Sequence, residues 1–133
     1  MSTASPLRPE KVILHRRSRT LELRWPGEEP VALGAEYLRV HSPSAEVRGH
    51  GPGQEVLVAG KRDVGIESVH AVGRYALQLV FDDGHDTGLY AWDYLRSLCL
   101  EHDTRWPSYL RRLDAAGLSR DPQEQVLRFE PGR

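Results

Sequence analysis

Residues Tyr75 to Phe81 alternate without a break, with Tyr75, Leu77, Leu79 and Phe81 on one side of an extended chain and Ala76, Gln78 and Val80 on the other. A period of two marks a strand that buries one face. The Asp83-Gly84 pair that follows is a strong short-range turn signal, because it supplies the positive φ angles of a type I′ hairpin. Such a hairpin sets Asp82 opposite His85, both on the face away from Phe81. Beyond it the period changes. From Ala91 to His102 the residues Ala91, Leu95, Leu98 and His102 fall on one helical stripe, flanked by Trp92, Tyr94 and Cys99. Strands that precede helices, and do not alternate with them, predict an α+β fold: a mostly antiparallel sheet of short strands and hairpins followed by one or two C-terminal helices.

The rest of the chain fits that frame. Val12 to His15 and Thr20 to Trp25 read as two strands of a hairpin around Arg16-Arg17-Ser18-Arg19, with Leu21, Leu23 and Trp25 on one face. Pro26 to Pro30 is a turn. Val31 to Val40 is apolar without a decisive period. His41 to Gln54 is rich in glycine and proline and reads as an exposed loop. Val56 to Val58 and Val64 to Val69 read as further strands. Pro107 is placed to open a second helix, with Leu110 and Leu113 inward and Gly117 as its stop.

Composition removes whole classes of function. The chain has 133 residues, 28% of them charged, and a formal net charge of -1, so it has the balance of one ordinary soluble domain and no general attraction for nucleic acid. No window approaches the roughly 20 apolar residues of a membrane helix. Serines and arginines near the start suggest a transit peptide, but Glu10 and the alternation of Val12, Leu14, Leu21 and Leu23 speak for the cytoplasm. Cys99 is the single cysteine, which excludes an intramolecular disulfide and an all-cysteine metal cage, and its helical neighbours predict a buried, inert thiol.

Several signatures fail on inspection. Gly53 to Lys61 is too long for a phosphate loop, and Arg62 stands where Ser or Thr would hold magnesium. Gly49-His50-Gly51-Pro52-Gly53 lacks the strand-to-helix junction of a dinucleotide fingerprint. There is no Gly-x-Ser-x-Gly elbow. The tryptophans Trp25, Trp92 and Trp106 share their phase with apolar residues and belong to the core, not to a base-stacking platform. What remains is a polar loop and a hairpin: Arg39, His41, Glu46, Arg48 and His50 on the loop, His85 with Asp82 on the hairpin. Imidazole and carboxylate are suitable ligands for zinc or iron, yet no close-paired ligand motif is present.

Four segments together carry a resemblance: Leu21-Glu22-Leu23-Arg24-Trp25, Tyr37 to Val47, Phe81-Asp82-Asp83-Gly84-His85 and Trp92-Asp93-Tyr94-Leu95. In order and spacing they resemble the γ-butyrobetaine hydroxylase-like N-terminal domain, a small domain of unknown function. The resemblance implies a domain over 12–103, with a flexible leader over 1–11, an accessory helix over 104–117 and a flexible tail over 118–133. In the hydroxylases it also implies a structural zinc held by three cysteines and a histidine. The matching positions here are Ser42, Ser44, Val47 and His85, and neither serine nor valine replaces a thiolate at zinc. The oxygenase chemistry belongs to a separate catalytic domain and does not transfer.

The reading that follows is a non-catalytic interaction module that holds an unknown protein or small ligand through Arg39, His41, Glu46, Arg48 and His50, with no cofactor expected. The alternative is a metal-binding or iron–sulfur-related accessory protein using His85 with loop residues. In the first case Ser42 and Ser44 bond to backbone groups, Pro43 fixes the loop, Ala45 or Val47 packs inward, and His85 pairs with Asp82 or a loop carbonyl.

Overall fold

A computed structural model describes residues 8–49 and 55–122. Its first unit is a meander of three strands, β1 (Lys11–His15), β2 (Thr20–Arg24) and β3 (Val31–Gly34). All pairing is antiparallel, with β2 in the centre, Leu21 opposite Leu14 and Leu33, and Leu23 opposite Val12 and Val31. The expected hairpin around Arg16 to Arg19 is present, closed by Arg19 at φ 57°. Val31 to Val40, undecided by period, divides in two: β3 runs straight into the short helix α1 (Ala35–Val40).

The stretch expected as an exposed loop holds a single helical turn, α2 (Ala45–Arg48), and it is not exposed throughout: Ser42, Ser44 and Val47 are buried. His50 and Gly51 to Gln54 lie outside the described residues. The second sheet is β4 (Ile66–Val72), β5 (Ala76–Phe81) and β6 (Leu89–Ala91), antiparallel in that order. No strand forms at Val56 to Val58, and β4 begins at Ile66 and reaches Val72, with a register shift between Ile66 and Ser68. Tyr75, grouped with the buried face of β5 by parity, stands outside the strand and is 75% exposed.

The Asp83-Gly84 turn is real but of another type. Only Gly84 has a positive φ, the Gly84 amide bonds Phe81 O at 3.2 Å, and the Phe81 amide bonds His85 O at 2.9 Å. This is a type I turn closed by a glycine bulge, a three-residue loop. Phe81, not Asp82, therefore faces His85, and the expected Asp82–His85 pair does not form.

Two helices complete the fold, α3 (Trp92–Leu100) and α4 (His102–Ala115). Leu95 and Leu98 of α3 are fully buried, as the stripe predicts. His102, assigned to that stripe, instead begins α4, and Pro107 lies inside α4 rather than opening it. Leu113 points inward as expected, but its buried partner is Tyr109, four residues back, while Leu110 is exposed. Gly117 does end the helix: at φ 68° it lets the Gly117 and Leu118 amides bond Asp114 O and Leu113 O. The tail expected from Leu118 starts by folding back. Ser119 O and Arg120 O accept from the Gly60 and Arg62 amides, and Arg120 holds buried Glu36 through two bonds of 2.9 and 2.6 Å.

The core lies where the two sheets and α3 meet, built from Leu21, Leu23, Trp25, Leu33, Leu77, Leu79, Phe81, Tyr90, Leu95 and Leu98. Each such side chain contributes roughly 1.5–3 kcal/mol on burial, so packing outweighs any single polar contact. Trp92 and Trp106 pack partly buried against this core, and Cys99 is half-buried rather than fully enclosed. No helix among the described residues is long and apolar enough to cross a membrane.

Candidate functional site

The C-terminal end of α1 is buried, so its carbonyls need partners. They receive them from distant residues. Tyr90 Oη donates to Leu38 O at 2.6 Å, Tyr94 Oη donates to His41 O at 2.5 Å, and His41 Nδ1 donates to Tyr37 O at 2.8 Å. Tyr37 Oη in turn donates to Leu98 O at 2.7 Å. These bonds fix the segment from Tyr37 to Ser44 against β6 and α3, and they fix what it carries.

One product is a buried polar cluster. Ser42 Oγ lies 2.8 Å from His85 Nε2 and Ser44 Oγ lies 3.4 Å from the same nitrogen. His85 Nδ1 lies 3.2 Å from Glu46 Oε2, and Thr87 Oγ1 donates to Glu46 Oε1 at 3.2 Å. An ionised Glu46 can only accept, so Nδ1 carries the proton and Nε2 accepts from the Ser42 hydroxyl. Burial pushes the His85 imidazole below its ordinary range, and Arg39 pushes the same way against Glu46, Asp83 and Asp86. The neutral ring fits that wiring. Ser44 N–H also donates to Ser42 Oγ at 3.3 Å, the one bond to a backbone group that the sequence led us to expect. Val47 packs inward and Ala45 does not.

The cluster brings together three of the four positions that correspond to the hydroxylase zinc ligands, with Val47 one turn further along α2. Their chemistry does not fit zinc. Two neutral hydroxyls and an isopropyl group offer no thiolate, and the imidazole nitrogen facing them already accepts a hydrogen bond. Cys99 lies elsewhere, near Trp25 and Arg96, and burial raises its thiol above the ordinary range.

Beside the cluster, Asp83 gathers two cations. Its Oδ2 accepts from Arg39 Nε at 2.8 Å and Lys61 Nζ at 2.6 Å, and its Oδ1 accepts from the His85 amide at 3.1 Å. Arg39, expected on a binding loop, is thus a half-buried strut between α1 and the acidic turn.

On the other side of Ser42 the surface opens into a groove of about 820 Å³ between α2 and α4. His41, Arg48, Tyr94, Arg105 and Arg112 line it, with Val40, Val47 and Val56 as its apolar part. Of the residues singled out in the sequence, His41 and Arg48 reach this groove, Glu46 belongs to the His85 cluster and Arg39 to the Asp83 strut. Arg105 and Arg112 are not among the residues that local sequence pattern singles out. Their signal is the spacing Arg105, Ser108, Arg112, one face of a helix, which becomes visible once α4 starts before Pro107.

The model of the family described as gamma-butyrobetaine hydroxylase-like, N-terminal, matches residues 12–96. A protein solved by NMR in solution is 51% identical, with 94% of this chain and 98% of that one covered and a TM-score of 0.79. A second NMR structure is 43% identical, with 98% of each chain covered and a TM-score of 0.75. A crystal structure of a protein of unknown function from Acidithiobacillus ferrooxidans, of the DUF971 family, is 36% identical, with 71% of this chain and 97% of that one covered and a TM-score of 0.58. No curated protein matches the chain.

Proposed function

The chain belongs to the gamma-butyrobetaine hydroxylase-like N-terminal family, and on that footing we propose that it is a non-catalytic binding module whose working surface is the groove between α2 and α4. The groove itself carries the reading. Its volume, about 820 Å³, suits a small organic ligand or a few residues of a partner chain, and its mixture of valines, hydroxyls and arginines provides both apolar contact and orientation. We assign the module to the cytoplasm, because Val12 and Leu14, next to the arginine- and serine-rich start, pair with Leu23 and Leu21 as strand residues.

Ser42, His85 and Glu46 have the connectivity of a nucleophile, a base and an orienter. Their surroundings oppose catalysis. Ser42 is 1% exposed, its oxygen is already an acceptor for the Ser44 amide, and the backbone of Gly88 closes over it: a Cβ there would lie 2.4 Å from Oγ. We read the three residues as a polar staple between the loop before α2 and the hairpin.

The test is a neutral-fragment screen on the full chain by amide chemical-shift mapping. Hits are expected to move Val47, Arg48, Tyr94 and Ser108 together, and a fluorophosphonate probe is expected to leave Ser42 unlabelled. Hits that cluster on the outer face of β4 to β6, or stoichiometric labelling of Ser42, would overturn the reading.

The metal-related alternative has less support, because the donor set at Ser42, Ser44, Val47 and His85 is wrong for zinc and a single half-buried thiol is poor for a cluster. Excess EDTA is expected to leave the melting temperature unchanged, and elemental analysis to find no stoichiometric zinc or iron. A structural zinc supplies folding free energy, so one zinc per chain, or a large drop in melting temperature with chelator, would promote the alternative.

A further inference from the structure

We infer that the occupant of the groove is a compact organic polyanion, a phosphate ester or a polycarboxylate with an apolar body; this rests on the reading of the groove as the binding surface. Three guanidinium groups converge on it from two sides, Arg48 from α2 and Arg105 and Arg112 from one face of α4. Glu55 is the only acidic residue on the described lining. Among the described residues neither Arg48 nor Arg112 has a carboxylate partner, while Arg105 spends its Nε on Glu101 at 3.0 Å and keeps both terminal nitrogens.

Tyr94 organises the cations. Its hydroxyl is anchored on His41 O, and the guanidinium carbons of Arg48 and Arg105 stand 5.0 and 5.7 Å from its ring centroid. A cation–π contact uses the face of a guanidinium and leaves its in-plane N–H donors available. Those donors match the paired oxygens of carboxylate and phosphate. Gathering two like charges around one ring, with Arg112 lining the same groove, is unfavourable by itself, and an anion between them relieves it. His41 lies on the same wall with its Nδ1 committed to Tyr37 O at 2.8 Å; burial pushes its imidazole down against that bond, and Arg105, Arg112 and His102 push the same way as burial, so the arginines are what carry the positive charge of the groove. The groove is much larger than a bare inorganic anion, and Val40, Val47 and Val56 supply an apolar wall for the remainder of the ligand.

The probes are inorganic pyrophosphate and citrate, titrated into the isotopically labelled full chain at low salt, with spermine as a cationic control. Saturable amide shifts at Val47, Arg48, Tyr94, Arg105 and Ser108 are expected with at least one anion, and the better one identifies phosphate or carboxylate chemistry. Arg48→Glu and Arg112→Glu should each weaken binding about tenfold or more, a change of about 1.4 kcal/mol. Arg111→Glu, on the exposed side of α4, should leave it unchanged. All three arginines are exposed, and the spectrum reports whether each variant stays folded. Equal loss in Arg111→Glu, or preferential binding of spermine, overturns the inference. If neutral fragments fill the groove and neither anion does, the inference fails and the binding-surface reading stands; if nothing binds there, both fail.

Discussion

Replacing Asp83 with asparagine is expected to destabilise the protein by about 2–3 kcal/mol. Asparagine keeps the shape and removes the charge. The side chains of Arg39, Asp83 and Lys61 are only 12%, 19% and 24% exposed, so the two cations would then face each other with little water between them. Arg39 is already short of partners, since its Nη1 is buried without an acceptor among the described residues. For a chain of this length the loss corresponds to a fall in melting temperature on the order of 10 °C. The same carboxylate sets an acid limb. Burial would raise its pKa, but Lys61, the His85 amide and Arg39 outweigh this and hold it at about 2, against an ordinary 3.8. A depressed carboxylate stabilises fully above its unfolded value, so this contribution is intact above 3.8 and is lost as pH falls through about 2. Wild-type stability should therefore drop more steeply below pH 4 than that of Asp83→Asn. By contrast Glu46→Ala, at a side chain 64% exposed, should cost under about 1 kcal/mol. Denaturant unfolding that finds Asp83→Asn within about 0.5 kcal/mol of wild type at pH 7 would sink the strut interpretation.

Much of the fold is legible in the chain because its main signals are local. The alternation in Thr20 to Trp25 and Tyr75 to Phe81 and the stripe through Leu95 and Leu98 are properties of neighbouring residues, and they located β2, β5 and α3 closely. The misreadings occur where a distant contact decides. α1 has only six residues, too few to stand by propensity; the carbonyls at its buried C-terminal end are met by hydroxyls of Tyr90 and Tyr94, which are 52 and 53 positions away. His85 faces Phe81 and not Asp82 because one additional loop residue in the turn reverses the parity of everything after it. The serine cluster was visible only through the family's ligand positions, for nothing local makes Ser42 a buried residue. His41 and Arg48 lie on a segment whose composition advertises it, whereas Arg105 and Arg112 depended on where α4 begins, and Pro107 gave a misleading start. Proline lacks one donor, so it fits best in a first turn; here the helix carries it further in and forgoes one bond near Asp103.

Gly88→Ala should cost about 3 kcal/mol, and the reason is Ser42 rather than backbone strain. A Cβ at Gly88 would lie 2.4 Å from Ser42 Oγ and 3.3 Å from both Pro43 Cδ and Tyr90 Cε1. Pro43 and Tyr90 can yield a few tenths of an ångström. Ser42 Oγ cannot yield without leaving His85, because its 2.8 Å bond to Nε2 is what holds it against Gly88. Overpacking of this kind costs about 1–3 kcal/mol, and a buried nitrogen left without its donor costs about 1–3 more; Ser44, 3.4 Å from the same nitrogen, can recover part of that by moving closer. The coupling is measurable. Ser42→Ala removes both the clash and the donor, so in that background Gly88→Ala should cost only about 1 kcal/mol, and the double-mutant cycle should return an interaction of about 2 kcal/mol. The His85 ring nitrogen shifts should report the same event: Gly88→Ala and Ser42→Ala should each move the Nε2 resonance, while Nδ1 stays paired with Glu46. Equal costs for Gly88→Ala with and without the Ser42 hydroxyl would mean that Pro43 and Tyr90 bear the strain, and that the serine–histidine bond does not pin the loop to the hairpin.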